Sequence, residues 1–317
     1  MRTSFLTTLA VAGLAIAAPL GKRNNDGKST DIDPVILNYA LTLEHLEAAF
    51  YKQGLQKYSA EAFQSAAFPE WVRYRLSEIA SHEATHVSFL TDALKAAGAQ
   101  ATAACEYSFP DNSPETFIAV AQILEGVGVS AYIGAANKIT NPAYLQYAAQ
   151  VLAVEARHSA WIRGAAQQLD SFPSPFDLAL GLNQVYSLAA GFIKSCPSSN
   201  PTLPVKAFPV LTAGALESGN KVKLTYANAQ SGAFATFITA LGAESVALPS
   251  DGVVTVPSGL YGQNYVVITK TNGTATDDNT LAGPAIVEVS LSSLTETLFD
   301  RSSMAMILMY QAPHCKP

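Results

Sequence analysis

The sequence predicts an α+β protein in two parts: a four-helix bundle with a fifth helix, followed by a small β-sandwich. Three observations predict it. Residues 33–195 carry long helical stretches, four of them opened by a proline and three of those prolines behind a capping residue. One linker among these helices is far longer than the others. After about residue 200 the texture changes to short β-branched runs between Ser, Gly, Asn and Asp turns. With 317 residues, 49% of them apolar, the chain is long enough for two ordinary cores.

The helices follow from their starts. Asp33-Pro34, Phe68-Pro69, Ser113-Pro114 and Asn141-Pro142 each place proline where a first helical turn has no use for its N–H, and Asp, Ser and Asn are good caps. Helices are expected over 34–57, 69–97, 114–138 and 142–169, with Gly98 closing the second. A fifth, over 175–194, carries Leu178, Leu180, Leu182, Val185 and Leu188. The third and fourth helices are joined by a linker too short for anything but an antiparallel hairpin. The linker from Gly98 to Ser113 spans on the order of 50 Å when extended, enough to cross a bundle end to end. One long crossover between two hairpins is the ferritin-like connection.

Pro201, Pro204 and Pro209 mark the passage to the second part. Strands are expected over 221–226, 252–256, 265–269 and 285–291, spaced as in a sandwich. No catalytic constellation stands out there, so this part is read as a structural or interaction module.

The ends of the chain and its charge bound the setting. An apolar run from Phe5 to Ala18 is too short to span a bilayer and ends in Ala15-Ile16-Ala17, a pattern that signal peptidase accepts. Residues 1–17 are therefore expected to be a signal peptide and 18–32 a flexible segment holding the basic pair Lys22-Arg23; the bundle occupies 33–197, the β-sandwich 198–295 and a tail 296–317. No further segment is expected to cross a membrane, and secretion to the extracellular space or cell wall follows. A net charge of −6 without a basic cluster argues against a nucleic-acid partner. Of three cysteines, Cys105 follows the second long helix and Cys196 the last, which favours a Cys105–Cys196 bridge with Cys315 free or paired elsewhere. Asn272-Gly273-Thr274 is an acceptable glycosylation sequon in a polar stretch.

The chemistry lies in the helices. Only five histidines occur in the chain, yet two stand three residues after a glutamate, in Glu83-Ala84-Thr85-His86 and Glu155-Ala156-Arg157-His158. That spacing puts carboxylate and imidazole on one helix face. The first and third helices add carboxylates. Glu125 is the lone acid of an apolar run, and a charge there is costly unless it meets a cation or partner. On the first helix Glu44 lies within about 40° of the apolar stripe and Glu47 about 60° off it, so Glu44 is the better ligand and Glu47 its alternative or a rim residue. Tyr51 and Tyr132 each follow a glutamate by seven residues; they are read as hydrogen-bonding packers behind the ligands, with a redox role as the other reading. His45 and His82 are placed on helix flanks, a supporting contact to the site staying open for His82, and Gly126, Gly128 and Gly134 are assigned to close helix packing, with room for a small ligand as the other reading. Glu44, Glu83, His86, Glu125, Glu155 and His158 form the ligand set of di-iron and di-manganese carboxylate bundles. Two Fe or two Mn ions are expected, with O2 or peroxide as small substrate.

The stretches Leu43-Glu44-His45-Leu46-Glu47-Ala48-Ala49-Phe50-Tyr51, Ser81-His82-Glu83-Ala84-Thr85-His86, Gln122-Ile123-Leu124-Glu125-Gly126-Val127-Gly128 and Val154-Glu155-Ala156-Arg157-His158 carry a closer resemblance. Over about half its length the chain resembles the secreted ferritin-like proteins of filamentous fungi described as stress-response or late-sexual-development proteins, and plant desiccation-related proteins. The resemblance implies the ferritin-like fold, secretion and metal ligands at the six positions. It implies little about the reaction. The alternative function is a non-catalytic protein that binds metal for stability or sequestration and meets a cell wall or protein partner through the β part.

Overall fold

A computed structural model describes residues 32–290. The expected signal peptide, Lys22-Arg23, Cys315 and the tail from 296 lie outside the described residues. The described residues belong to one compact unit.

Helices α1 (Asp33–Lys57) and α3 (Glu70–Ala96) pair as one hairpin, and α4 (Pro114–Ala136) and α5 (Pro142–Trp161) as the other. Between α1 and α3 a short helix, α2 (Ala60–Ser65), is capped by Ser59 and drives Phe63 into the core, a turn too brief to leave a periodic signal. Contacts at the helix ends fix the topology. Lys57, closing α1, pairs with Asp111 just before α4, and Asp33, opening α1, binds Thr140 and Asn141 just after α4. Helix α1 is therefore antiparallel to both α3 and α4, and α3 and α4 run parallel. The 98–113 linker travels the length of α1: Asn38 accepts from Thr102 N–H at 2.8 Å near one end, and Lys57 meets Asp111 at the other.

The caps behave unevenly. Ser113 and Asn141 accept from the first-turn amides of α4 and α5, and Ser113 forms a reciprocal capping box with Thr116. Ser113→Ala is expected to lower stability by about 1 kcal/mol in urea unfolding. Asp33 lies inside its own helix and uses its carboxylate on the Asn141 N–H, at the start of α5.

Two expectations are corrected. The fourth helix ends at Trp161 and continues as one π-turn, Ile162–Ala166, instead of reaching 169. The fifth helix, α6, is confined to Leu182–Ala190. Pro173 and Pro175 hold the preceding segment off helix, and Leu178 and Leu180 enter the core as extended chain, Leu180 N–H bonding the Ser130 carbonyl at 3.1 Å. By length and composition alone α4 could cross a bilayer, the one such helix among the described residues. Its apolar window is 67% buried inside the protein and holds Glu125, so its apolarity is that of a core helix.

Strands β1 (Glu106–Tyr107) and β2 (Ile193–Ser195) pair across the crossover linker, where Cys105 and Cys196 are joined by a disulfide. Beyond them lie two antiparallel sheets. The three-stranded sheet orders β3 (Leu211–Ala213), β4 (Lys221–Tyr226) and β7 (Val253–Thr255). The four-stranded sheet has the order β6-β5-β8-β9, from β5 (Phe234–Thr239), β6 (Gly242–Ala247), β8 (Gly262–Thr269) and β9 (Thr280–Val289). Val222, Leu224 and Val254 of the first sheet meet Phe237, Val266, Ile268 and Val287 of the second in one core. Three strands of these two sheets were not expected from the sequence. β3 is short, and β5 is buried on both faces and shows no alternation. β6 pairs with it through a two-residue turn at Ala240-Leu241.

The second face of the four-stranded sheet closes on the bundle. Ile238, Tyr265 and Ile286 pack with Tyr39, Val127, Ala131 and Val185. Tyr265 donates to the Gly126 carbonyl at 3.0 Å and Gln263 to the Ile123 carbonyl at 3.3 Å. Arg163, in the π-turn, makes a two-pronged pair with Glu288 of β9 at 2.8 and 3.1 Å, and Gln122 of α4 joins them. Gly126 of α4 serves this docking, since a side chain there would overlap Gln263, whereas one at Gly134 would overlap the Leu180 backbone just before α6.

Candidate metal centre

Each helix of the two hairpins contributes to one buried cluster: Glu44 and Glu47 from α1, Glu83 and His86 from α3, Glu125 from α4, Glu155 and His158 from α5. Glu83, Glu125 and Glu155 are fully buried and Glu44 is 1% exposed. Apolar layers seal the cluster along the bundle axis. Leu37, Leu41, Leu90 and Leu94 lie on one side, and Phe50, Tyr51, Leu76, Phe117 and Ile118 on the other.

Two sets of ligand atoms converge. Glu44, Glu83, His86 and Glu155 offer atoms within 4.8 Å of one another, and so do Glu83, Glu125, Glu155 and His158. Glu83 and Glu155 belong to both sets. Both imidazoles aim Nδ1 inward. His86 Nδ1 lies 3.2 Å from Glu44 and from Glu83, and His158 Nδ1 lies 3.1 Å from Glu125 and 3.2 Å from Glu83.

A second layer orients these groups reciprocally. Tyr51 of α1 donates its hydroxyl to Glu125 on α4, and Tyr132 of α4 donates to Glu44 on α1. Each hairpin thus holds the other's glutamate. His158 Nε2 lies 2.9 Å from Nδ1 of His82, whose ring stacks on it at 5.1 Å between centroids. With Nε2 carrying the proton, the Nδ1 lone pair of His158 is free for the cluster. His82, exposed at the helix surface, is the partner behind His158 that sequence periodicity could not name. His45 instead bonds the Thr102 carbonyl at 3.1 Å and faces the linker.

Glu47 stands beside both sets and in neither. It is 5% exposed and faces Gly128, which occupies on α4 the place, three residues after Glu125, that Glu47 occupies on α1 after Glu44. A side chain at Gly128 would come within 2.9 Å of a Glu155 oxygen and 3.1 Å of a Glu47 oxygen. That glycine makes room for the two carboxylates.

The electrostatics are those of an acid cluster short of cations. Burial, then repulsion from Glu155, raises Glu83 to about 7. Burial, then Glu155 for Glu47 and Glu125 for Glu155, pushes both of these acids well above the usual carboxylate range. Burial works against a charged His86, yet Glu155, Glu44 and Glu83 outweigh it and raise it to about 12. His158 rises against burial to about 10 through Glu125 and Glu83. Glu155 Oε2 is buried without a hydrogen bond, and Glu83 Oε1 and Glu155 Oε1 meet only imidazole nitrogens, at 3.2 and 3.4 Å, a costly state for carboxylates. Two divalent cations would fit: they would give these oxygens partners and balance the charge of the four glutamates in the two sets.

Comparison with known proteins agrees with this architecture. Residues 32–168, from α1 through the π-turn, match the family described as Ferritin-like domain. The chain is also 29% identical over 196 residues to Protein rds1 of Schizosaccharomyces pombe (strain 972 / ATCC 24843), a match covering 60% of this chain. It spans 48% of that relative's length, about half. The helical part of the chain is a ferritin-like domain whose buried Glu/His cluster can hold two metal ions.

Proposed function

We propose that the protein is a secreted dinuclear carboxylate protein that holds iron or manganese and reacts with O2 or a peroxide in stress or development. The observation that carries this reading is the sharing of Glu83 and Glu155 between two ligand sets, each with its own histidine. Shared carboxylates suit two neighbouring cations, and such a pair supplies Lewis acidity and electron-transfer capacity towards small oxidants.

The chain's own residues do the rest. His86 and His158 present Nδ1 to one set each, and the His82 contact holds His158 in the tautomer that permits this. Tyr51 and Tyr132 hold Glu125 and Glu44 in place from opposite hairpins, which keeps the carboxylates ordered while their buried surroundings exclude bulk water. The Cys105–Cys196 bridge supports the secreted setting, since such bonds persist in oxidising compartments. Asn272, exposed in the loop between β8 and β9, is open to glycosylation there.

Metal analysis by mass spectrometry of protein secreted from its native host is the test. About two equivalents of iron or manganese per chain, with consumption of peroxide or O2, is the expected result. Loading without turnover would favour the non-catalytic reading, in which the bundle sequesters metal. Metal-free protein that also resists reconstitution would remove the dinuclear assignment. Glu47→Ala is expected to leave the metal stoichiometry unchanged, because Glu47 stands outside both sets; loss of an equivalent would make Glu47 a ligand.

A further inference from the structure

Beside the cluster lies a cavity of 220 Å³ that the metal reading does not use. Its walls come from four elements: Leu46 of α1, Val127 of α4, Leu188 of α6 and Ile286 of β9 are among them. Glu47 is the one charged or polar side chain in the lining. Gly128 forms another part of the wall, and it is the residue against which the Glu47 and Glu155 carboxylates lie. With no side chain at Gly128, nothing but backbone stands at that point between the cavity and a carboxylate common to both ligand sets. At the rim, Leu188 and Phe192 are only half-buried.

Size and lining define what fits. Apolar protein cavities of about 150 Å³ stay dry and take up benzene or xenon. This one is larger, and its single acid sits on the wall shared with the cluster. A charged or strongly polar ligand would lose its hydration against leucine, valine and isoleucine. We propose that the cavity is the binding site for a small uncharged apolar molecule, of the size of a single aromatic ring, held against the Glu47–Gly128 side of the cluster. The β part then has a share in the site through Ile286, in addition to its docking on α4. Binding itself is independent of the metal; the role of the bound molecule as a substrate rests on the function proposed above.

The probe is benzene, added to the full-length metal-free protein. A saturable rise in Tm of about 3 °C at tenfold its Kd is expected. Leu188→Phe and Ala189→Leu fill the cavity from α6, and each is expected to abolish the rise while keeping the far-ultraviolet circular dichroism of the parent. In protein loaded with Co(II), benzene is expected to shift the visible ligand-field bands of the parent and not of the filled variants. No rise in the folded parent would overturn the proposal, as would an equal rise in a folded variant of either kind. Benzene binding that leaves the Co(II) spectrum unmoved would overturn the placement beside the cluster. Failure of Co(II) to load, with benzene binding intact, would count against the metal reading alone.

Discussion

Glu83→Ala is expected to leave essentially no bound iron or manganese, whereas Glu125→Ala is expected to keep about one equivalent per chain. The asymmetry follows from membership. Glu83 supplies an atom to both ligand sets, and Glu125 to one. Removing Glu83 takes an atom from both sets at once and leaves Glu155 as their one shared carboxylate, so neither set keeps its four members. Removing Glu125 spares Glu44, Glu83, His86 and Glu155. The measurement is metal per chain after reconstitution and gel filtration, with circular dichroism to show that the bundle persists. Glu83→Gln keeps the volume if the alanine variant does not fold. Two equivalents retained by either Glu83 variant would sink the shared-ligand assignment.

The second large effect is on stability against pH. Glu83 titrates at about 7 in the folded protein, well above its ordinary value of 4.5. A raised acid contributes stability at low pH that is lost as pH climbs through the folded value. Integrated over that shift, the loss is on the order of 3 kcal/mol. His86 and His158, raised to about 12 and about 10, act in the same direction above 6.5, where the unfolded chain has already given up its imidazole protons. Metal-free protein is therefore expected to lose stability steadily from pH 5 to 8. Bound cations reverse the sign, because they compete with those same protons and bind more tightly as pH rises. Scanning calorimetry at pH 5 and pH 8, with and without Mn(II), checks both halves. A metal-free Tm that climbs with pH, or a metal-induced rise larger at pH 5, would contradict the assignment of these groups to one protonated cluster.

Much of this architecture was legible because the residues that make it are also the costly ones. Glutamates in apolar helical runs, paired with scarce histidines at helical spacing, announce themselves against a background of Leu, Val and Ala. The seven-residue interval from glutamate to tyrosine was visible in both hairpins, and the structure gives it a meaning that spacing alone could not: each tyrosine serves the opposite hairpin's glutamate. Other features left no local trace. His82 is an exposed residue whose value comes from a neighbour on another helix, 76 positions away. Strand β5 hides its period because both of its faces are covered, and residues 175–181 read as helix on hydrophobicity until their extended path across Gly134 is known. Gly128 is informative only beside Glu47, as the small partner that lets two acids share a space.

The twice-covered sheet bears on how the molecule comes apart. Tyr265 and Gln263 grip α4 on either side of Glu125, and Arg163 locks the end of the fourth helix to β9. Peeling the sheet away would bare Val127, Ala131 and Val185 to water and leave the Arg163 guanidinium without its acid. Neither part can open far without the other, so unfolding is cooperative across both. The amides of β8 and β9 should exchange with solvent as slowly as those of α4, and a cation captured among four helices should slow exchange in strands that never touch it.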